Sequence, residues 1–143
     1  MKARMRNNNA LVDTNVLVYA IDEDSQFYER SHQFLFNPNY RLYNSAKNLV
    51  EFLTVVTRNP AISLSTEDAL SSVKDYEGVL KILYPSKTTF AKFKELLEKY
   101  KLTGLKIHDY EIASISLANK IEQIATFNVK DFEGITEIKL IKL

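Results

Sequence analysis

Four carboxylates of this 143-residue chain fall where an ion could be held: Asp13, Glu51, Asp109 and Asp131. Asp13 interrupts an apolar stretch, between Ala10–Val12 and Val16–Ala20. The pattern reads as a buried parallel strand, a junction, and a largely buried helix. Asp13 then stands at the carboxyl end of a strand, where open α/β sheets place their ligands. Asn15 can add a neutral oxygen or orient the acid. Glu51 shares a narrow polar stripe with Lys47, Thr54 and Arg58 on a mostly apolar helix. Asp109 directly precedes a helix rich in small residues, and Asp131 follows a later strand, with Asn128 three residues before it. Each has an ordinary alternative. Asp13 and Asp109 suit helix N-caps, Glu51 suits a solvated pair with Lys47, and Asp131 suits a turn.

Three or four carboxylates cannot share one site as bare anions, because like charges repel and raise one another's pKa. A divalent cation resolves the conflict. With no cysteine and two histidines, oxygen ligation favours Mg²⁺ or Mn²⁺ over zinc. Such ions serve phosphoryl chemistry by activating water and stabilising a leaving oxygen.

The elements that must position these acids follow in order. A strand over 10–12 leads into the first helix. Ser25 caps a second helix reaching about Phe36, and Tyr40–Tyr43 is a second strand. Asn44-Ser45 caps a helix over Ala46–Arg58, stopped by Asn59-Pro60. Ser65 or Thr66 caps a helix to about Tyr76, and Val79–Tyr84 is a third strand. Pro85-Ser86 opens a helix to about Lys101, and another runs from Tyr110 to Lys120. Strands around 124–126 and 138–141 close the chain. Strands alternating with helices predict a parallel sheet covered on both faces. The acids would then follow strands one, two and four, and strands one and four can lie side by side where the strand order reverses.

Composition bounds the rest. The length suits one domain, and a net charge of +1 makes no case for nucleic acid on charge alone. The absence of cysteine excludes a disulfide framework and fits a cytoplasmic protein. No stretch approaches the roughly 20 apolar residues of a membrane helix. Residues 1–9, basic and polar, read as a loose N-terminal extension ahead of a single domain over 10–143.

The chain resembles the PIN-domain family, and within it the VapC-type toxin ribonucleases of type II toxin–antitoxin pairs. Four segments carry the likeness: Val12-Asp-Thr-Asn-Val-Leu-Val-Tyr-Ala20, Asn48-Leu-Val-Glu-Phe52, Ile107-His-Asp-Tyr110 and Thr126-Phe-Asn-Val-Lys-Asp-Phe132. The resemblance implies a three-layer α/β/α sandwich with a five-stranded, mostly parallel sheet. It implies a metal-dependent endoribonuclease with one or two Mg²⁺ or Mn²⁺ ions, a homodimer, and an antitoxin that blocks the site. By position, Asp13, Glu51 and Asp109 match the principal acids, and Thr14, Asn15 and Thr126 match supporting polar positions. The family often has a fourth acid where this chain has Asn128. Asn128 could coordinate through its amide oxygen, or Asp131 could supply the charge. Lys47, Arg58, Lys106, His108 and Lys130 are candidate RNA contacts, with solvated surface charge as the alternative for each. His32 reads as structural or exposed.

Competing readings weaken at named residues. A receiver-type phosphotransfer domain needs an acceptor Asp after strand three, where this chain has Tyr84-Pro85-Ser86. A phosphatase of the haloacid dehalogenase kind needs a second Asp at the place of Asn15. A non-catalytic PIN-like module binding RNA or protein has Asn128 in its favour. A PIN nuclease in RNA processing would carry the same acids.

Overall fold

The computed structural model describes residues 8–143; most of the expected N-terminal extension, residues 1–7, lies outside them. The elements are β1 (Asn9–Val12), α1 (Thr14–Tyr19), α2 (Tyr28–Leu35), β2 (Arg41–Ser45), α3 (Ala46–Arg58), α4 (Thr66–Val79), β3 (Lys81–Leu83), α5 (Lys87–Tyr100), α6 (Lys106–Ala118), β4 (Gln123–Thr126), a 3₁₀ turn (Val129–Asp131) and β5 (Lys139–Lys142). The five strands form one sheet in the order β3-β2-β1-β4-β5. Every pairing is parallel. The order reverses between β1 and β4, which pair through Leu11↔Ile124 and Val12↔Ala125.

Alternation along the strands builds the three layers. Successive side chains of a strand point to opposite faces. Ala10, Val12 and Ala125 join one core with Val16 and Leu17 of α1, Phe34 of α2, Phe52 of α3 and Tyr76 of α4. Leu11 and Ile124 join a second core with Leu96 of α5, and with Ile112 and Ile115 of α6. β1 is therefore buried on both sides, which explains why its sequence is a continuous apolar run rather than an alternating one.

Local chemistry sets the boundaries. Ser45 caps α3 by accepting from Asn48 N–H, and Ser65 caps α4 by accepting from Asp68 N–H. Ser86 and Thr89 form a reciprocal capping box at α5. Three expectations shift. Ser25 does not cap α2: its hydroxyl accepts from Phe27 N–H in a local turn, and the helix begins at Tyr28. α4 runs on through Gly78 to Val79, which shortens β3 to three residues. α6 starts at Lys106 rather than Tyr110, so Asp109 lies inside its first turn and is not its cap.

Candidate active site

Asp13 is positioned by the sheet itself. Its backbone N–H donates to Ala125 C=O at 2.9 Å, carrying the β1–β4 ladder one residue past the strand. Its side chain accepts from Thr14 N–H at 2.8 Å and from the Thr126 hydroxyl at 2.8 Å. It is both the N-cap of α1 and a wall of a cavity of about 420 Å³, so the two readings of this residue coexist. α1 has only six residues, so a long-helix dipole adds little there.

The other acids arrive from separate elements. Glu51 comes from the second turn of α3, Asp109 from the first turn of α6, and Asp131 from the 3₁₀ turn after β4. All four carboxylates line the one cavity, together with Thr14, Asn15 and Asn128. Tyr19, Val18, Val55 and Asn59 complete its walls, and among the described residues no lysine or arginine lines it.

A buried polar chain orients the acids. The Ser45 hydroxyl donates to Asn48 Oδ1 at 2.6 Å, and Asn48 Nδ2 donates to Thr14 Oγ1 at 3.0 Å. Thr14 Oγ1 in turn donates to Glu51 Oε2 at 3.1 Å. Thr126 Oγ1 also accepts from Asn15 Nδ2 at 3.1 Å and Asn128 N–H at 2.9 Å.

The electrostatics follow from this crowding. Burial pushes the Asp13 carboxyl up to about 6 against the opposing hydrogen bonds of Thr126 and Thr14, and the charges of Glu51 and Asp131 add to the rise. Burial, then repulsion from Asp131, Asp13 and Glu51, pushes Asp109 up to about 7, with Lys106 opposing. Glu51 is also raised, chiefly by burial, while Thr14, Lys47 and His108 hold it down.

Among the described residues, no three Asp, Glu or His side chains stand close enough together to chelate one ion outright. The acids are spread over the walls. Mg²⁺ suits such a set, because it keeps several waters and is commonly bound by only one or two carboxylates. Hard oxygen donors with mutually raised pKa values fit a divalent cation.

The basic residues lie elsewhere. Lys47 does not pair with Glu51 in the way a solvated i, i+4 pair would. It reaches α6, with Nζ 3.2 Å from His108 Nδ1 and 3.4 Å from Glu111 Oε1. Lys106 Nζ donates to Lys130 C=O at 2.8 Å, tying α6 to the 3₁₀ turn. Arg58 is exposed at the end of α3. His32 has a structural contact: its Nε2 lies 2.5 Å from Ala20 C=O, at the end of α1 away from Asp13. Sequence reasoning assigned no role to Asn48, Tyr19 or Asn59. For Asn48 a signal was present, since Ser45, Asn48 and Glu51 recur every three residues and so share one helix face.

A parallel, doubly wound sheet with carboxylates gathered where its strand order reverses defines an α/β sandwich with an acid-lined crevice. The chain belongs to the PIN domain family, whose model matches residues 10–137. No curated protein sequence matches it. Solved structures share the fold. VapBC2 from Rickettsia felis, bound to a DNA fragment from its promoter, superposes with a TM-score of 0.70 at 24% identity, over 94% of this chain and 98% of that one. VapC20 from Mycobacterium tuberculosis, a toxin that cleaves the sarcin–ricin loop, gives 0.70 at 11% identity, over 88% and 95%. The DNA-bound VapBC from Salmonella typhimurium gives 0.67 at 21% identity, over 94% and 97%.

Proposed function

We propose that this chain is a Mg²⁺- or Mn²⁺-dependent endoribonuclease of the VapC type, acting in the cytoplasm as the toxin of a toxin–antitoxin pair. The observation that carries the reading is the single cavity walled by Asp13, Glu51, Asp109 and Asp131, with no lysine or arginine lining it among the described residues. Such a wall repels a bare phosphodiester and calls for a cation between the acids and the substrate. The similarity to VapBC complexes supports an antitoxin partner, and the homodimer is part of the same reading. Among the described residues no helix is long and apolar enough to cross a membrane.

Asp13, Glu51 and Asp109 would hold the ion, with Asp131 or the Asn128 amide oxygen completing the set. A divalent cation supplies a water-derived nucleophile at neutral pH and offsets the charge that builds on the phosphodiester. The chain's own part is preorganisation. Thr14 N–H and the Thr126 hydroxyl fix the Asp13 carboxylate. The Ser45–Asn48–Thr14 chain aims Glu51 into the cavity. Lys106, bound to the carbonyl of Lys130, keeps the first turn of α6 beside the 3₁₀ turn, and so keeps Asp109 near Asp131. The residues over 10–143 act as one nuclease domain.

One observation favours a non-catalytic module instead: the acids do not converge tightly on a point. The experiment that decides is cleavage of a panel of single-stranded and hairpin RNAs with Mg²⁺, Mn²⁺ or EDTA, beside Asp13→Asn. Metal-dependent cleavage that vanishes in Asp13→Asn supports the nuclease. No cleavage by the wild type, together with no Mn²⁺ binding, supports the binding module.

A further inference from the structure

Three aromatic side chains stand together at the edge of the acid-lined cavity. Tyr19 ends α1, Phe27 precedes α2 and Phe127 follows β4. Their ring centroids are 5.0 Å (Tyr19–Phe27), 5.2 Å (Tyr19–Phe127) and 4.7 Å (Phe27–Phe127) apart. The contacts are tilted or edge-on rather than parallel stacks. All three residues are half-buried.

Packing explains Phe127, which lies against the core of α1 to α4, but Tyr19 and Phe27 belong to neither core. Among the described residues, Tyr19 is the one aromatic residue that lines the cavity of Asp13 and Asp109. The cluster is also tied to the acids. Asn15 Oδ1 accepts from Phe127 N–H at 3.4 Å, and the neighbouring Asn128 N–H donates to the same Thr126 hydroxyl that binds Asp13. A group resting on Tyr19 is therefore held at a fixed place relative to the carboxylates.

Resting on the nuclease reading above, we propose that Tyr19, backed by Phe27 and Phe127, is a stacking platform for one unpaired nucleobase beside the scissile phosphate. Every base has a π face that stacks on an aromatic ring, whatever its sequence. In a duplex those faces are already taken by neighbouring bases, whereas in loops and single strands they are free. Among the described residues the cavity walls offer no Lys or Arg to a phosphate, so an uncharged base contact on Tyr19 is one way for these walls to draw in a polynucleotide without a cationic side chain.

The test uses short single-stranded RNAs carrying 2-aminopurine at successive positions, with Ca²⁺ replacing Mg²⁺, and reads fluorescence quenching and affinity. Wild type is expected to quench one position. Tyr19→Leu, which keeps apolar bulk, should lose that quenching and bind about 5- to 150-fold more weakly. Tyr19→Trp should restore both. An abasic site at the quenched position should weaken the wild type and leave Tyr19→Leu unchanged. The same oligonucleotide in a duplex should bind weakly to either protein. The proposal is overturned if folded Tyr19→Leu quenches and binds like the wild type, or if the abasic site weakens both proteins equally. Metal-dependent cleavage that ignores Tyr19 would sink the platform alone. A wild type that neither binds nor cleaves any RNA would sink the nuclease reading beneath it.

Discussion

Thr14 donates its only hydroxyl proton to Glu51, because Asn48 Nδ2 already occupies one of that oxygen's acceptor sites at 3.0 Å. The bond thus has a direction set by a buried amide, and it favours Glu51 as the carboxylate. Thr14→Val keeps the shape but removes the acceptor, leaving Asn48 Nδ2 buried without a partner. We expect a loss of about 1–3 kcal/mol in urea unfolding, a further rise in the Glu51 pKa and weaker Mn²⁺ binding. Thr14→Ser should stay near the wild type in all three. Equal losses in the two variants would mean that the methyl, not the hydroxyl, matters.

Asp13 gives a pH dependence of defined sign. Its folded pKa of about 6 lies above the ordinary carboxylate value, so the folded state holds its proton more tightly than the unfolded chain does. Stability from this group is complete below the unfolded pKa near 4 and is lost as pH rises through about 6. A shift of about 2 units corresponds to about 3 kcal/mol. Without divalent ions, the wild type should be less stable at pH 7.5 than at pH 5, relative to Asp13→Asn. Parallel stability curves for the two proteins between pH 4 and 8 would refute the burial argument.

The legibility of this site in the sequence was uneven, for physical reasons. Asp13 stood out because a buried strand and a buried helix flank it with apolar runs. Ser45 and Ser86 announced α3 and α5 because capping is local chemistry. The start of α6 was not legible: Leu105 carries no capping side chain, and it is among the most exposed apolar residues of the chain, at 85%. A helix that begins there has no sequence signal, so Asp109 looked like a cap. Lys47 misled in another way. The i, i+4 spacing suggested Glu51, but α6 packs close enough to offer Glu111 and His108, and a tertiary partner is invisible to local spacing.

Divalent ions should stabilise the protein by binding the folded state alone. At a hundred times its dissociation constant, an ion adds about 2.7 kcal/mol, a rise in Tm on the order of 10 °C for a chain of this size. Protons compete for the same oxygens, so the rise should shrink as pH drops through about 7 and about 6, where Asp109 and Asp13 take up protons. Differential scanning fluorimetry with Mn²⁺ at pH 8 and pH 5.5 measures this. Asp13→Asn should abolish most of the shift at pH 8, and an undiminished shift would place the ion elsewhere.

Lys47 separates stability from electrostatics. Its contacts with Glu111 and His108 bridge α3 to α6 on a partly exposed rim, and pairs of that kind contribute about 0–1 kcal/mol. Lys47→Met should therefore leave urea unfolding almost unchanged. Yet the Lys47 charge is one of the influences that hold Glu51 down. Removing it raises the pKa of Glu51, so the acid limb of the pH profile of kcat/KM should move to higher pH, and Lys47→Arg should move it back. If Lys47→Met instead raises KM uniformly across pH, Lys47 acts as a phosphate contact and its influence on Glu51 is incidental. A large loss of stability would show that the bridge between the two helices, rather than its charge, is what the site needs.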